Sequence, residues 1–251
     1  LGNKLGDTPL FFALHGKTGV DVLETMLQEG HDIGTAVKAK NSKNVNVIKA
    51  GWDMLNDTRI VAAEDQDDED RRVTQNRVCI RNAGSPDEIF GEVRIWWKKT
   101  ELLLRAAYHG DISDYFSNDR TNSKGQPFRV VHAAAGTECP PALIKFILQL
   151  YKKEATELDE FGNTPLHIAC ALPSIVPSDS VAYFNSSHPP ACITQNKDGA
   201  TPLHLACLHR APAAVLDVLL NSADPDACLM QDNNGKTPLF IAIAVNSPVS
   251  I

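Results

Sequence analysis

The sequence predicts an all-α protein built from stacked helix–turn–helix units. The tetrapeptide Thr-Pro-Leu-His or Thr-Pro-Leu-Phe begins at Thr8, Thr164, Thr201 and Thr237, and the last three copies are 37 and 36 residues apart. A glycine lies two residues before each threonine, and an Asn or Asp lies three residues before that glycine. Self-similarity at such a period indicates an array of repeated structural units.

Each unit is predicted to open with a tight turn, because Asn and Asp bond to nearby backbone and glycine accepts a positive φ. The threonine is a good N-cap for the first helix, and the proline suits the first helical position, where its missing N–H costs nothing. In most units a second helix follows, with apolar residues at helical spacing. These second helices are predicted within 20–27, 143–151 and 215–220.

This pattern resembles the ankyrin repeat, whose hallmark Thr-Pro-Leu-His-x-Ala stands at 164–169 and 201–206. The resemblance implies an ankyrin-repeat solenoid with hairpin-like turns. The period exceeds the usual ankyrin length of about 33 residues, so the loops are expected to be longer. The resemblance also implies a structural role for His167 and His204, whose rings would bridge the capping threonine and the backbone of a neighbouring unit.

The repeats are predicted to be interrupted once. Residues 1–55 are expected to hold two ankyrin units, the second degenerate and with Ser42 at the glycine position. Residues 56–84 are expected to form a disordered insertion, because the acidic run at 64–70 is too charged to bury. Residues 85–251 are expected to hold further repeats, the first degenerate and the last truncated. Within them, Ser85-Pro86-Asp87-Glu88 predicts a helix start.

Two further features of the chain lead to expectations. Trp96 and Trp97 are adjacent, so on a helix they point about 100° apart and cannot both face one core. Both are expected to be covered, and an exposed one would be a candidate binding anchor. The chain starts at Leu1 and ends at Ile251, where the second helix of the last unit should begin, which suggests a fragment of a longer array.

Composition disfavours several classes of protein. The 251 residues carry a formal net charge of −7 and show no sizeable basic patch, so no nucleic-acid partner is expected. No run of eighteen apolar residues and no secretion signal is visible, so no membrane span is expected. The six cysteines form no Cys-x-x-Cys pair, and buried free thiols favour an intracellular location in the cytoplasm or nucleus.

No motif for catalysis or for a cofactor is present. Phosphate-binding glycine loops and the Gly-x-Ser-x-Gly elbow are absent, and the acidic run lacks the alternating ligand spacing of a calcium loop. His167 and His204 lie a full unit apart, about 10 Å by helix packing, which is too far to share one metal ion. We therefore expect no catalytic residue, no cofactor, no metal and no small-molecule substrate.

The resemblance implies a non-catalytic scaffold that binds a partner protein on a concave face made of the turn tips and the first helices. Phe161 is the one large apolar side chain among the tip residues and is the favoured contact. The predicted partner-binding residues are Glu160, Phe161, Asn163, Lys197, Asp198, Asn233, Asn234 and Lys236. The alternative is a regulatory or substrate-recruiting segment of a larger enzyme, such as a kinase, a ubiquitin ligase or an acyltransferase.

Overall fold

The computed structural model describes residues 7–15, 19–29, 33–56, 83–89, 91–109, 128–222 and 225–246. All regular elements within these ranges are helices, apart from one isolated backbone bridge between Lys40 and Asn46. The chain divides into two compact units, residues 1–133 and 134–251. The predicted all-α class is therefore confirmed.

Twelve α-helices occur in the described part of the chain. They are α1 Pro9–His15, α2 Val20–Glu29, α3 Ile33–Lys38, α4 Val47–Asn56, α5 Gly91–His109, α6 Val130–Ala135, α7 Pro141–Leu150, α8 Pro165–Ala171, α9 Ser178–Ser187, α10 Pro202–Leu208, α11 Ala213–Ser222 and α12 Pro238–Asn246. Short 3-10 turns occur at Pro86–Glu88, Glu154–Thr156, Pro189–Ile193 and Pro225–Cys228.

The second unit consists of two columns of helices. The short helices α8, α10 and α12 pack side by side, and the longer helices α7, α9 and α11 form a second column behind them. The apolar residues between the columns are fully buried, among them Leu166 and Ala169 of α8 and Val181 of α9. Complete burial of a side chain the size of Leu166 stabilises the folded state by about 2 kcal/mol. Each helix pair thus buries its apolar face against its neighbours.

A tight turn precedes each short helix of the second unit, and the three turns share one geometry. The side-chain oxygen of the first residue accepts two backbone N–H groups at 2.7 to 3.0 Å, and the glycine has a φ between 74° and 78°. The turns are 159–163, 196–200 and 232–236. An L side chain at this φ is strained, so the backbone conformation favours glycine at this position.

The first unit is built around the 19-residue helix α5. Helices α1, α2, α3 and α4 all contact α5, which explains why its residues 102–107 are buried all round. Both Trp96 and Trp97 are buried, at 9% and 3% exposure, and Trp52 of α4 lies 5.7 Å from Trp96 between ring centroids. Adjacent tryptophans can both be covered because helices pack against more than one side of α5. Neither ring is an exposed binding anchor.

The first unit also contains a turn of the kind seen in the second. Asn41 Oδ1 accepts the N–H groups of Lys43 and Val45 at 3.0 and 3.2 Å, and Asn44 has a φ of 57°. Asn46 then caps α4 by accepting the N–H of Lys49 at 2.8 Å. The glycine position is therefore held by Asn44 and not by Ser42, two residues from the predicted place. Asn tolerates the left-handed region better than most residues.

The predicted helix start at Ser85 is confirmed only as the start of a short 3-10 turn, and no longer helix follows directly from it. Ser85 makes no side-chain cap bond, and the carboxylate of Glu88 accepts the N–H of Gly84 at 2.6 Å. A single 3-10 turn, Pro86–Glu88, forms there, and α5 begins only at Gly91. The acidic run at 64–70 lies outside the described residues.

Candidate functional site

Helices α8 and α10 of the second unit begin with a reciprocal cap. Thr164 Oγ1 lies 3.4 Å from the N–H of His167, and His167 Nδ1 accepts the N–H of Thr164 at 3.1 Å. Thr201 and His204 repeat the arrangement, with His204 Nδ1 accepting the N–H of Thr201 at 3.1 Å. Helix N-termini carry unpaired N–H groups, and these caps satisfy two of them at each helix.

The second nitrogen of each imidazole bonds to the next turn. His167 Nε2 donates to the carbonyl of Ala200 at 3.1 Å, and His204 Nε2 donates to the carbonyl of Lys236 at 3.0 Å. Since a carbonyl can only accept, Nε2 carries the proton and Nδ1 is free to accept. Burial lowers the pKa of His167 to about 4. Both rings therefore link neighbouring repeats, as predicted for His167 and His204.

Successive turns are joined directly by backbone and side-chain bonds. The N–H of Lys197 donates to the carbonyl of Phe161 at 3.0 Å, and the N–H of Asn233 donates to the carbonyl of Asp198 at 2.9 Å. The Asn233 amide adds a bond to the carbonyl of Lys197 at 2.8 Å. The turns therefore form a continuous edge, and their relative positions are fixed by bonds at each step.

The predicted tip residues lie together on this edge. Six of them are exposed, namely Phe161, Lys197, Asp198, Asn233, Asn234 and Lys236. Glu160 is partly exposed, and so is Asn163. The Asn163 side chain donates to Asp159 at 3.1 Å and accepts from the Asn196 amide at 2.9 Å, so its polar atoms hold the turns together. The structure thus brings the tips into one surface and uses Asn163 within it.

The short helices contribute a second set of accessible residues that the residue-level prediction did not name. Positions four and seven residues after each cap lie on one helix face, because residues three apart on a helix are neighbours. All six are apolar. Five of them are at least partly exposed, with Leu208 the most accessible of the large ones at 47% exposure, whereas Ile241 is buried at 9% exposure. The six residues are Ile168, Ala171, Leu205, Leu208, Ile241 and Ala244. Their constant distance from the cap is the sequence signal that could have found them.

The titratable groups of the described residues do not form a metal site. No group of three or more His, Cys, Asp or Glu side chains in the described ranges could hold a metal ion. The five described cysteines are free thiols, and burial raises the pKa of Cys139 to about 12 and also raises that of Cys170. A thiol with a raised pKa is a poor nucleophile, so Cys139 and Cys170 are packing residues.

None of the helices in the described ranges is long and apolar enough to cross a membrane.

Comparison with known families agrees with the repeat geometry. A family model described as ankyrin repeats (3 copies) matches residues 177–249. No curated protein matches the chain with significant similarity. The matched residues include α9 to α12 and the turns at 196–200 and 232–236, whose caps, glycines and bridging histidine are described above. Residues 177–249 are therefore ankyrin repeats, and ankyrin repeats generally act as protein–protein interaction modules.

Proposed function

We propose that this chain is a non-catalytic scaffold that binds a partner protein through the turn tips and the exposed face of the short helices. The observation that carries the proposal is the state of Phe161, whose side chain is 62% exposed. Its backbone N–H bonds to Asp159 Oδ1 at 2.8 Å, and its carbonyl accepts from Lys197. The backbone therefore builds the turn, and the phenyl ring is left available for a partner.

The polar tips support the same proposal. Lys197, Asp198 and Lys236 are exposed and alternate in charge along the edge. Exposed charges steer partners and discriminate among them more than they add affinity. Because each repeat adds one tip, contact is spread over an extended surface, as is usual for repeat proteins.

Loss of the phenyl ring tests the proposal. Phe161→Ala should reduce capture of a partner from native lysate, because a large aromatic anchor is lost from the interface. Its melting temperature should stay nearly unchanged, since the side chain contributes little burial. Leu229→Ala is the matched control, because Leu229 is 72% exposed but lies outside the tips. A large fall in the melting temperature of Phe161→Ala, or equal capture by both variants, would reject the proposed contact.

We also infer that residues 7–56 hold two ankyrin units that the family model does not reach. The turn at Asn41 has the backbone bonds of the later turns, and the Asn41 amide donates to Asp7 Oδ1 at 2.9 Å. The bond between Asn196 and Asn163 joins the equivalent positions in the second unit. Residues 85–251 would hold the remaining repeats, since the turns at 159–163, 196–200 and 232–236 lie among them. The free thiols support a reducing, intracellular location.

A further inference from the structure

The exposed face of the short helices forms an uncharged strip in the second unit. Ile168, Leu205 and Ile241 occupy one row of the strip, and Ala171, Leu208 and Ala244 occupy the other, so that α8, α10 and α12 each contribute one residue to each row. Ile241 is buried at 9% exposure, and the other five residues are at least partly exposed. Because these helices pack side by side, each row repeats at about 8–10 Å. A charged partner side chain placed on the strip would lose its hydration without gaining an opposite charge.

Charged residues border the strip, and their sign changes along the array. Glu157 and Glu160 lie at the turn before α8, whereas Lys236 lies at the turn before α12 and the exposed Arg210 follows α10. Between them, Lys197 and Asp198 carry opposite charges on one turn. A complementary partner is therefore apolar where it covers the strip, basic at the end over Glu160 and acidic at the end over Lys236 and Arg210.

We propose that this strip binds one amphipathic α-helix of the partner protein, a statement that rests on the proposed binding function. Seven residues of α-helix rise about 10.5 Å, which matches the spacing between successive short helices. Apolar side chains at seven-residue intervals of the partner would each meet one repeat, and those three or four residues away would meet the second row.

A helix also suits the strip better than an extended segment. The backbone groups of α8, α10 and α12 are bonded within their own helices, so the strip offers few partners to the N–H and C=O groups of an extended chain. Leaving such groups unpaired against an apolar surface carries the full desolvation penalty of each group. An α-helix satisfies its own backbone and presents only side chains.

Selection from a display library of random 20-residue segments tests the proposal on the full chain. Enriched segments should carry apolar residues at i, i+3 or i+4, and i+7, with basic residues toward one end and acidic residues toward the other. A synthetic peptide of the enriched sequence should gain helical circular dichroism on binding. Leu208→Glu should weaken that binding by about tenfold or more, because it places a charge on the strip.

Leu220→Glu is the control variant. Leu220 is 48% exposed, close to the 47% of Leu208, but it lies on α11 in the other column of helices. Binding that falls equally in both variants would overturn the proposal, as would enriched segments that are proline-rich or bind without becoming helical. A library that yields no binder would also overturn it. The proposed scaffold function would then still be decided separately, by capture of a protein with Phe161→Ala as its test.

Discussion

At the scale of single residues, the same side-chain chemistry is used repeatedly for one purpose, to fasten a turn to its neighbours. The imidazole of His167 accepts from its own helix N-terminus and donates to the following turn. Such a bond requires the neutral ring, since a protonated Nδ1 cannot accept. The pKa of His167, lowered to about 4 mainly by burial, agrees with that requirement.

His167 should make stability depend on pH. Below the unfolded value of about 6.5, the unfolded ring takes up a proton that the folded ring does not bind until about pH 4. The free energy of unfolding should therefore fall as the pH falls through this window, by ~3 kcal/mol in total. Urea unfolding between about pH 7 and about pH 4 measures this. In His167→Gln the free energy of unfolding should depend less on pH, because the contribution of this ring is lost. His209→Gln, which changes an exposed ring, is the control, and an equal reduction of the pH dependence in that variant would contradict the assignment to His167.

Substitution of two glycines with the same backbone conformation can distinguish the cost of backbone strain from the cost of disturbing the contact between successive turns. Gly199 and Gly235 both have a φ of 74°, but a Cβ at 199 would lie 2.7 Å from the backbone nitrogen of Asn233, whereas a Cβ at 235 would meet nothing within 4 Å. Gly235→Ala should cost only the left-handed strain, about 1–2 kcal/mol.

Gly199→Ala should cost about 1–3 kcal/mol more than Gly235→Ala, because the next turn must shift to admit the methyl group. Urea unfolding followed by circular dichroism measures both losses. Equal losses in the two variants would show that the contact between the turns does not constrain residue 199.

At the scale of elements, the turn before α4 shows how the turn geometry of the second unit can form from other residues. Asn41, Asn44 and Asn46 take the positions of the turn residue, the glycine and the capping threonine. All three can bond to nearby backbone, and Asn accepts a positive φ at moderate cost. The geometry survives because the polar bonds of the turn are kept, although no residue of the Thr-Pro-Leu-His motif remains.

Asn44 provides a direct test of that equivalence. Asn44→Gly should leave stability unchanged or raise it by about 0.5–1 kcal/mol, because glycine relieves the positive φ. Asn44→Val should lower stability by about 1–2 kcal/mol, because a β-branched residue is strained at a φ of 57°. Thermal unfolding of both variants is the measurement. A stabilising valine would show that the turn does not have the described conformation in solution.

At the scale of the whole molecule, repeat proteins gain stability from contacts between adjacent units, so a local change has local effects. The three tryptophans, at 52, 96 and 97, all lie in the first compact unit. Tryptophan fluorescence therefore reports on that unit, whereas circular dichroism reports on helices throughout the chain. The two signals can be compared in one denaturation experiment.

Gly199→Ala should separate the two signals. The urea midpoint seen by circular dichroism should decrease, because residue 199 lies in the second compact unit. The midpoint seen by tryptophan fluorescence should decrease less, because no tryptophan lies there. Equal decreases in both midpoints would mean that the chain unfolds as one cooperative body.

The sequence was most informative where local chemistry determines the structure. The caps at Thr164 and Thr201 and the glycine turns were predicted, because they depend on residues close together in the chain. Ser42 was placed two residues from the true glycine position, since Asn44 replaces the glycine that marks it elsewhere. The helix start predicted at Ser85 leads only to a 3-10 turn, because a capping pattern does not guarantee that a longer helix follows.

Features that depend on contacts between distant residues could not be predicted from the local sequence. Lys99 looks like an ordinary surface charge in sequence, yet it is buried and its Nζ donates to the carbonyl of Ala13 at 2.8 Å. That contact joins residues 86 apart in the chain. The apolar strip was missed for the opposite reason, because its residues resemble core positions until their exposure is known.

The direction of the imidazole bonds has a consequence for how such a chain can grow. Each ring reaches forward, from His167 to Ala200 and from His204 to Lys236. A duplicated gene segment running from one threonine to the residue before the next would therefore carry both the imidazole donor and the carbonyl acceptor of this bond. Each copy added to the array would bring this hydrogen bond with it. Phe240 takes the place of the histidine in α12, and its ring has no N–H to donate.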